Sequence, residues 1–120
     1  MIKRFYDPVF SATVILATGK WENIKVRGFV FLQEDGKTTS GGVSIIDKEK
    51  DGQVWKEYLV HVEDKGDFYT LSHEVVHLVR WIFTDRGILF DNTNDETIAY
   101  YHTYWLKKLW RAMSKPTKKD

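Results

Sequence analysis

Residues 67–85 read Asp67-Phe68-Tyr69-Thr70-Leu71-Ser72-His73-Glu74-Val75-Val76-His77-Leu78-Val79-Arg80-Trp81-Ile82-Phe83-Thr84-Asp85. Leu71, Val75, Leu78 and Ile82 recur at spacings of four, three and four, the period of an α-helix with one buried stripe. Asp67 can cap the start of that helix, and Gly87 stops it as a glycine just past the end. Arg86 then falls near the negative end of the helix dipole. Asp91–Thr93 offers caps for a second helix from about Asn94 to Met113, which Pro116 ends.

Upstream of Asp67 the period changes. Val9–Thr18, Ile24–Gln33, Val43–Asp47 and Val54–Val62 are rich in β-branched and aromatic residues and read as strands. Glu34-Asp35-Gly36-Lys37 is a turn signal, Gly41-Gly42 a break, and Asp51-Gly52 a hairpin signal. The expected fold class is α+β, a small, mainly antiparallel sheet of three to four strands followed by two long helices.

The chain of 120 residues suits one domain, expected over residues 1–114, with a basic, disordered tail at 115–120. Apolar residues at 42% and charged residues at 29% fit a globular protein rather than a disordered one. No apolar run is long enough to span a bilayer, and Asp7-Pro8 interrupts the start, so no membrane partner and no secretory signal are expected. Cysteine is absent, which excludes disulfides, thiol nucleophiles and Cys-based metal sites. An intracellular, cytoplasmic location is expected. The net charge of +1 hides an asymmetry. Lys107, Lys108, Arg111, Lys115, Lys118 and Lys119 stand against Asp120 alone at the end of the chain, while the body is mildly acidic. Cations favour a helix C-terminus anyway, so a solvated helix end is the commoner reading and nucleic acid is not an expected partner.

The chemistry lies in Ser72-His73-Glu74-Val75-Val76-His77-Leu78, an H-E-x-x-H motif. Four residues apart on a helix, His73 and His77 project from one face one turn apart and can reach one Zn²⁺. Glu74 points about 100° round the helix, beside the ion, where it can take a proton from an activated water. The plainer reading is an ordinary amphipathic helix that carries two histidines. Catalytic zinc usually takes three protein ligands, and Glu96, in the first turn of the second helix, is the candidate third. Thr93 and Glu96 also have capping-box spacing, so Glu96 could instead close the start of its own helix. His61, at the end of a strand, reads as structural or exposed.

H-E-x-x-H followed by 18 residues and Glu96 resembles the gluzincin zinc metallopeptidases, particularly their aminopeptidase-like branch. Asp95-Glu96-Thr97-Ile98-Ala99-Tyr100-Tyr101-His102-Thr103-Tyr104-Trp105 is similar to that branch's second-helix pattern, with Ala99 small enough for close helix approach. The brevity of the chain resembles minimal, phage-encoded metallopeptidases. The resemblance implies one Zn²⁺ per chain held by His73, His77 and Glu96, with Glu74 as general base and a peptide or protein as substrate. It also implies that an extended substrate pairs with the last antiparallel strand, Val43–Asp47. Asp95 stands where the family usually has Asn, and Tyr100 where some members carry an Asp that orients the first His. Tyr100 is the candidate oxyanion donor, with Tyr101, Tyr104 and His102 as others, and core packing or solvation is the plainer reading of each. A different expectation is a zinc-stabilised, catalytically inactive protein that uses the same fold to engage a protein partner.

Overall fold

The structure is a computed structural model that describes residues 1–24 and 40–115. The expected strand Ile24–Gln33, the turn at 34–37 and the end of the tail at 116–120 lie wholly or mostly outside the described residues. Among the described residues four strands precede two helices: β1 (Ile2–Asp7), β2 (Ala12–Thr18), β3 (Gly41–Lys50), β4 (Gln53–Val62), α1 (Phe68–Asp85) and α2 (Asp95–Ser114). The α+β arrangement is as expected. The sheet, however, is mixed, in the order β1-β2-β4-β3. β1 and β2 are antiparallel, as are β3 and β4, while the central pair β2 and β4 is parallel.

The sheet's two faces explain its sequence. Ala12, Val14 and Leu16 of β2, with Tyr58, Val60 and Val62 of β4, face the helices and join the main core. Ile15, Ala17 and Leu59 point the other way and are covered by Trp21, Ile24 and Ile46. A strand buried on both faces reads as a continuous apolar run, which is what Ala12–Thr18 shows. Asp51 and Gly52 both have positive φ, 54° and 82°, and form the tight turn that sets the β3–β4 register with Lys50 opposite Gln53.

β1 is an additional strand that the sequence reading did not contain. It is an edge strand, mostly exposed, and Lys3 and Arg4 break up its apolar pattern. Arg4 crosses to the buried Glu57 at 2.8 Å, and Trp55 Nε1 donates to the same carboxylate at 3.1 Å.

α1 begins and ends as its sequence directs. Asp67 accepts from the Thr70 backbone N–H at 3.0 Å and from its hydroxyl at 2.5 Å, and these bonds hold its carboxyl below the usual range. At the other end Gly87 has φ 73°, Ile88 N–H reaches Phe83 C=O and Gly87 N–H reaches Thr84 C=O, the pattern of a Schellman cap. α2 packs its buried residues Tyr101, Trp105, Leu109, Ala112 and Met113 into the core. Phe68 at the start of α1 meets Trp110 near the end of α2 edge-on at 5.1 Å, so the two helices run antiparallel.

Candidate metal centre

His73 and His77 leave α1 on its exposed side, and their Nε2 atoms stand 3.2 Å apart. Two nitrogens at about 2.0–2.1 Å from one tetrahedral Zn²⁺ stand about 3.3 Å from each other. The imidazole pair therefore already has the spacing of two ligands of one ion. The Glu74 carboxylate belongs to the same group, in which the potential ligand atoms all lie within 4.8 Å of one another. The donor set is nitrogen and carboxylate oxygen with no sulfur, which suits zinc.

Glu74 differs from its neighbours in burial. It is 7% exposed, while both histidines face solvent. Burial pushes its carboxyl above the usual range, and positive charge on His73 and His77 pulls the other way. A carboxylate whose proton affinity is raised by desolvation, next to a pair of imidazoles, suits proton transfer better than structural pairing.

What buries Glu74 is the start of β3. A Cβ on Gly41 would lie 2.6 Å from the His61 carbonyl oxygen, 2.7 Å from Thr70 Cγ2 and 3.3 Å from Glu74 Cγ. Only glycine lets the edge strand come this close to the first turns of α1. Gly41→Ala is expected to cost about 1–3 kcal/mol of stability by overpacking, read as a lower urea midpoint. An unchanged midpoint would contradict this close approach. The sequence marks Gly41-Gly42 only as a break. The signal for its second role is a glycine opening a strand, which commonly marks close backbone approach.

The other expected site residues are placed apart from this group. Glu96 is exposed in the first turn of α2 and is not part of the group formed by His73, Glu74 and His77. The N-cap of α2 is Asn94 rather than Thr93, so the capping-box spacing of Thr93 and Glu96 is one residue out of phase with the helix. Tyr100 is 72% exposed and lines a cleft with Pro8, Val9 and Phe10 of the β1–β2 turn, to which α1 contributes no residue. Tyr101 is buried and donates to Asp7 at 2.7 Å. His102 is half-buried rather than solvated, and its Nε2 is shielded from water with no hydrogen-bond partner among the described residues. His61 is structural: it is buried, its Nε2 lies 2.7 Å from Gly19 O, and its ring packs on Trp21.

Among the described residues, no helix is long and apolar enough to cross a membrane. No family model, no curated protein and no solved structure matches the chain. The class is therefore defined by its own fold and site: a small α+β domain whose first helix carries an H-E-x-x-H group beside the start of β3.

Proposed function

We propose that this chain is a zinc-dependent peptidase or amide hydrolase. The observation that carries the reading is the 3.2 Å spacing of His73 and His77 Nε2 beside a buried carboxylate from the residue between them, Glu74. His73 and His77 would hold the ion; the gluzincin resemblance implies Glu96 as the third ligand, and since Glu96 stands outside the group formed by His73, Glu74 and His77 it would have to come within reach when the ion binds. A bound Zn²⁺ would supply Lewis acidity, polarising a carbonyl and making water nucleophilic near neutral pH. Glu74 accepts the proton of the attacking water and returns it to the leaving amine. Among the described residues β3 is a sheet edge and lies against α1, and an extended peptide can add to it by main-chain hydrogen bonds.

The test is metal content together with thermal stability. Purified protein supplied with zinc should hold close to one ion per chain, with an anomalous peak at the zinc edge beside His73 and His77. Zinc at about a hundred times its Kd should stabilise the fold by about 2.7 kcal/mol, and a chelator should reverse the shift. His73→Ala should abolish both effects. Imidazole must be neutral to ligate, so the stabilisation should fade as the medium is made acidic. Absence of zinc after supply would end the metal reading. If Glu96→Ala leaves zinc affinity unchanged, the third ligand is another residue.

A second reading is a zinc-stabilised binding protein without activity. It is favoured by the exposure of both imidazoles beside the exposed side chains Tyr69 and Val76, a face as suited to a protein partner as to a substrate. Zinc binding with no hydrolysis of any peptide, together with partner binding that Glu74→Gln does not alter, would select it.

A further inference from the structure

On α2, Tyr100, Tyr104, Lys108 and Arg111 recur at spacings of four, four and three, so they lie along one face, and Lys115 follows just past the helix end. At the helical rise the stripe from Tyr100 to Arg111 is about 16 Å long. Its first part is aromatic and its second part basic. β1 supplies what the sequence did not join to it. Lys3 and Phe5, from the opposite end of the chain, lie against the basic part, and Lys3 with Lys107, Lys108, Arg111 and Lys115 borders a cleft of about 400 Å³ that no acidic residue among the described ones lines.

Among the described residues these charges have no carboxylate partner. The ion pairs among the described residues are Arg4–Glu57 and Lys56–Asp47, and none of the five cations belongs to either. Lys3 and Lys108 ammonium groups both approach the Phe5 ring, at 5.5 and 5.8 Å from its centroid, so two like charges converge on one aromatic surface. Five cations in one concavity repel each other and raise the local potential, which a polyanion relieves.

The adjoining cleft, about 570 Å³, is walled by Phe10, Tyr100 and Tyr104, and Tyr104 lines both clefts. Its one acid, Asp7, is buried and already accepts from Tyr101 and from Val9 N–H. Exposed aromatic rings continuous with a cationic groove are the elements that hold unpaired bases by stacking and their backbone by charge. Paired bases in a duplex offer no free faces to such rings, and a purely acidic peptide has no aromatic or apolar side chains to pack on them.

We propose that the Tyr100–Arg111 face of α2, with Lys115 past its end and Lys3 and Phe5 of β1, binds single-stranded nucleic acid, its phosphates on the cations and its bases stacked on Tyr100 and Tyr104. This departs from the sequence reading, in which the basic end stood alone as a solvated helix terminus. It does not depend on the metal site, because α1 contributes no residue to either cleft.

The experiment is fluorescence anisotropy of a short fluorescein-labelled oligothymidylate titrated with the intact protein at several salt concentrations. With four or five phosphates neutralised at about 0.7 each, the logarithm of affinity should fall against the logarithm of salt with a slope of roughly −3. The double variant Lys107→Gln, Arg111→Gln should weaken binding at low salt about tenfold and flatten the slope by about 1.4. Tyr100→Ala should weaken binding about tenfold with the slope unchanged, which separates stacking from charge. All three side chains are exposed, and circular dichroism checks that the variants fold. No binding at low salt overturns the proposal. So does equal competition by a duplex of the same length, by polyglutamate or by phosphatidylserine vesicles, and so does a Tyr100→Ala variant that binds as well as the parent.

Discussion

Glu74→Gln should lower peptide or amide hydrolysis by about 10²–10⁴-fold, the usual contribution of a general base, while zinc content stays near one ion per chain. The glutamine keeps the shape of the side chain beneath Gly41 and leaves the His73 and His77 nitrogens free to ligate. It removes only the proton acceptor. A second readout guards against a trivial loss of fold. In the metal-free protein, burial holds the Glu74 carboxyl above its ordinary value of 4.5, so the folded state binds its proton more tightly than the unfolded chain does. Folding stability contributed by the protonated form is present below pH 4.5 and is lost as pH rises through the raised value. Glutamine cannot ionise. The variant should therefore be more stable than the parent at neutral pH, with the difference vanishing in acid. Assays of kcat on a peptide library, with urea unfolding at two pH values, give both numbers. Undiminished hydrolysis by the glutamine variant would refute Glu74 as base.

The motif was legible because it is local. Residues four apart on one helix share a face whatever the rest of the chain does, so His73 and His77 could be paired from spacing alone, and their nitrogens lie 3.2 Å apart. The same holds for Asp67 as a cap, Gly87 as a stop and Asp51-Gly52 as a hairpin turn, each of which acts within a few residues. Relations across the chain were not legible. The parallel pairing of β2 with β4, which makes the sheet mixed, depends on where β3 joins the sheet. β1 alternates Lys3, Phe5 and Asp7 on one side with Arg4 and Tyr6 on the other, and its charges masked it.

The placement of Glu96 depends on the register between α1 and α2, and no spacing along one chain fixes that register. The burial of Glu74 depends on Gly41, whose approach to α1 is a tertiary contact. The cationic cleft needs Lys3 to meet Lys107 and Lys108. Arg86 shows both sides of the same division. Its position near the helix end was readable, and one of its bonds is the local one to Ile82 C=O at 3.2 Å. Its other partners lie on strands and turns far away in sequence.

Those distant partners make Arg86→Ala the substitution with the largest expected loss of stability, about 2–4 kcal/mol. Arg86 Nε donates to Phe10 O at 2.6 Å, and its two other nitrogens donate to Tyr58 Oη at 2.9 Å and to Ser11 O at 3.0 Å. Ser11 has φ 52°, an unfavourable backbone conformation for a residue with a side chain, and the guanidinium holds the turn that contains it. Tyr58 is fully buried and donates onward to Asp85 at 2.6 Å; burial first, and then the Asp85 bond, push its phenol up to about 12. It therefore remains a neutral donor at working pH, and it links the Arg86 guanidinium to the Asp85 carboxylate. Each bond from a charged donor contributes about 1.5–3 kcal/mol, reduced here because Arg86 is only half-buried. The melting temperature should fall by roughly 10 °C for a domain of this size. Arg86→Lys should rescue little, since one ammonium cannot reach three acceptors held in a fork. Zinc affinity, measured on folded protein, should change little, because the clamp grips the end of α1 more than two turns beyond His77. A melting temperature within a degree or two of the parent would mean that the β1–β2 turn and α1 are held together by apolar packing alone, and that Phe10 against Phe83 at 5.2 Å suffices without the guanidinium.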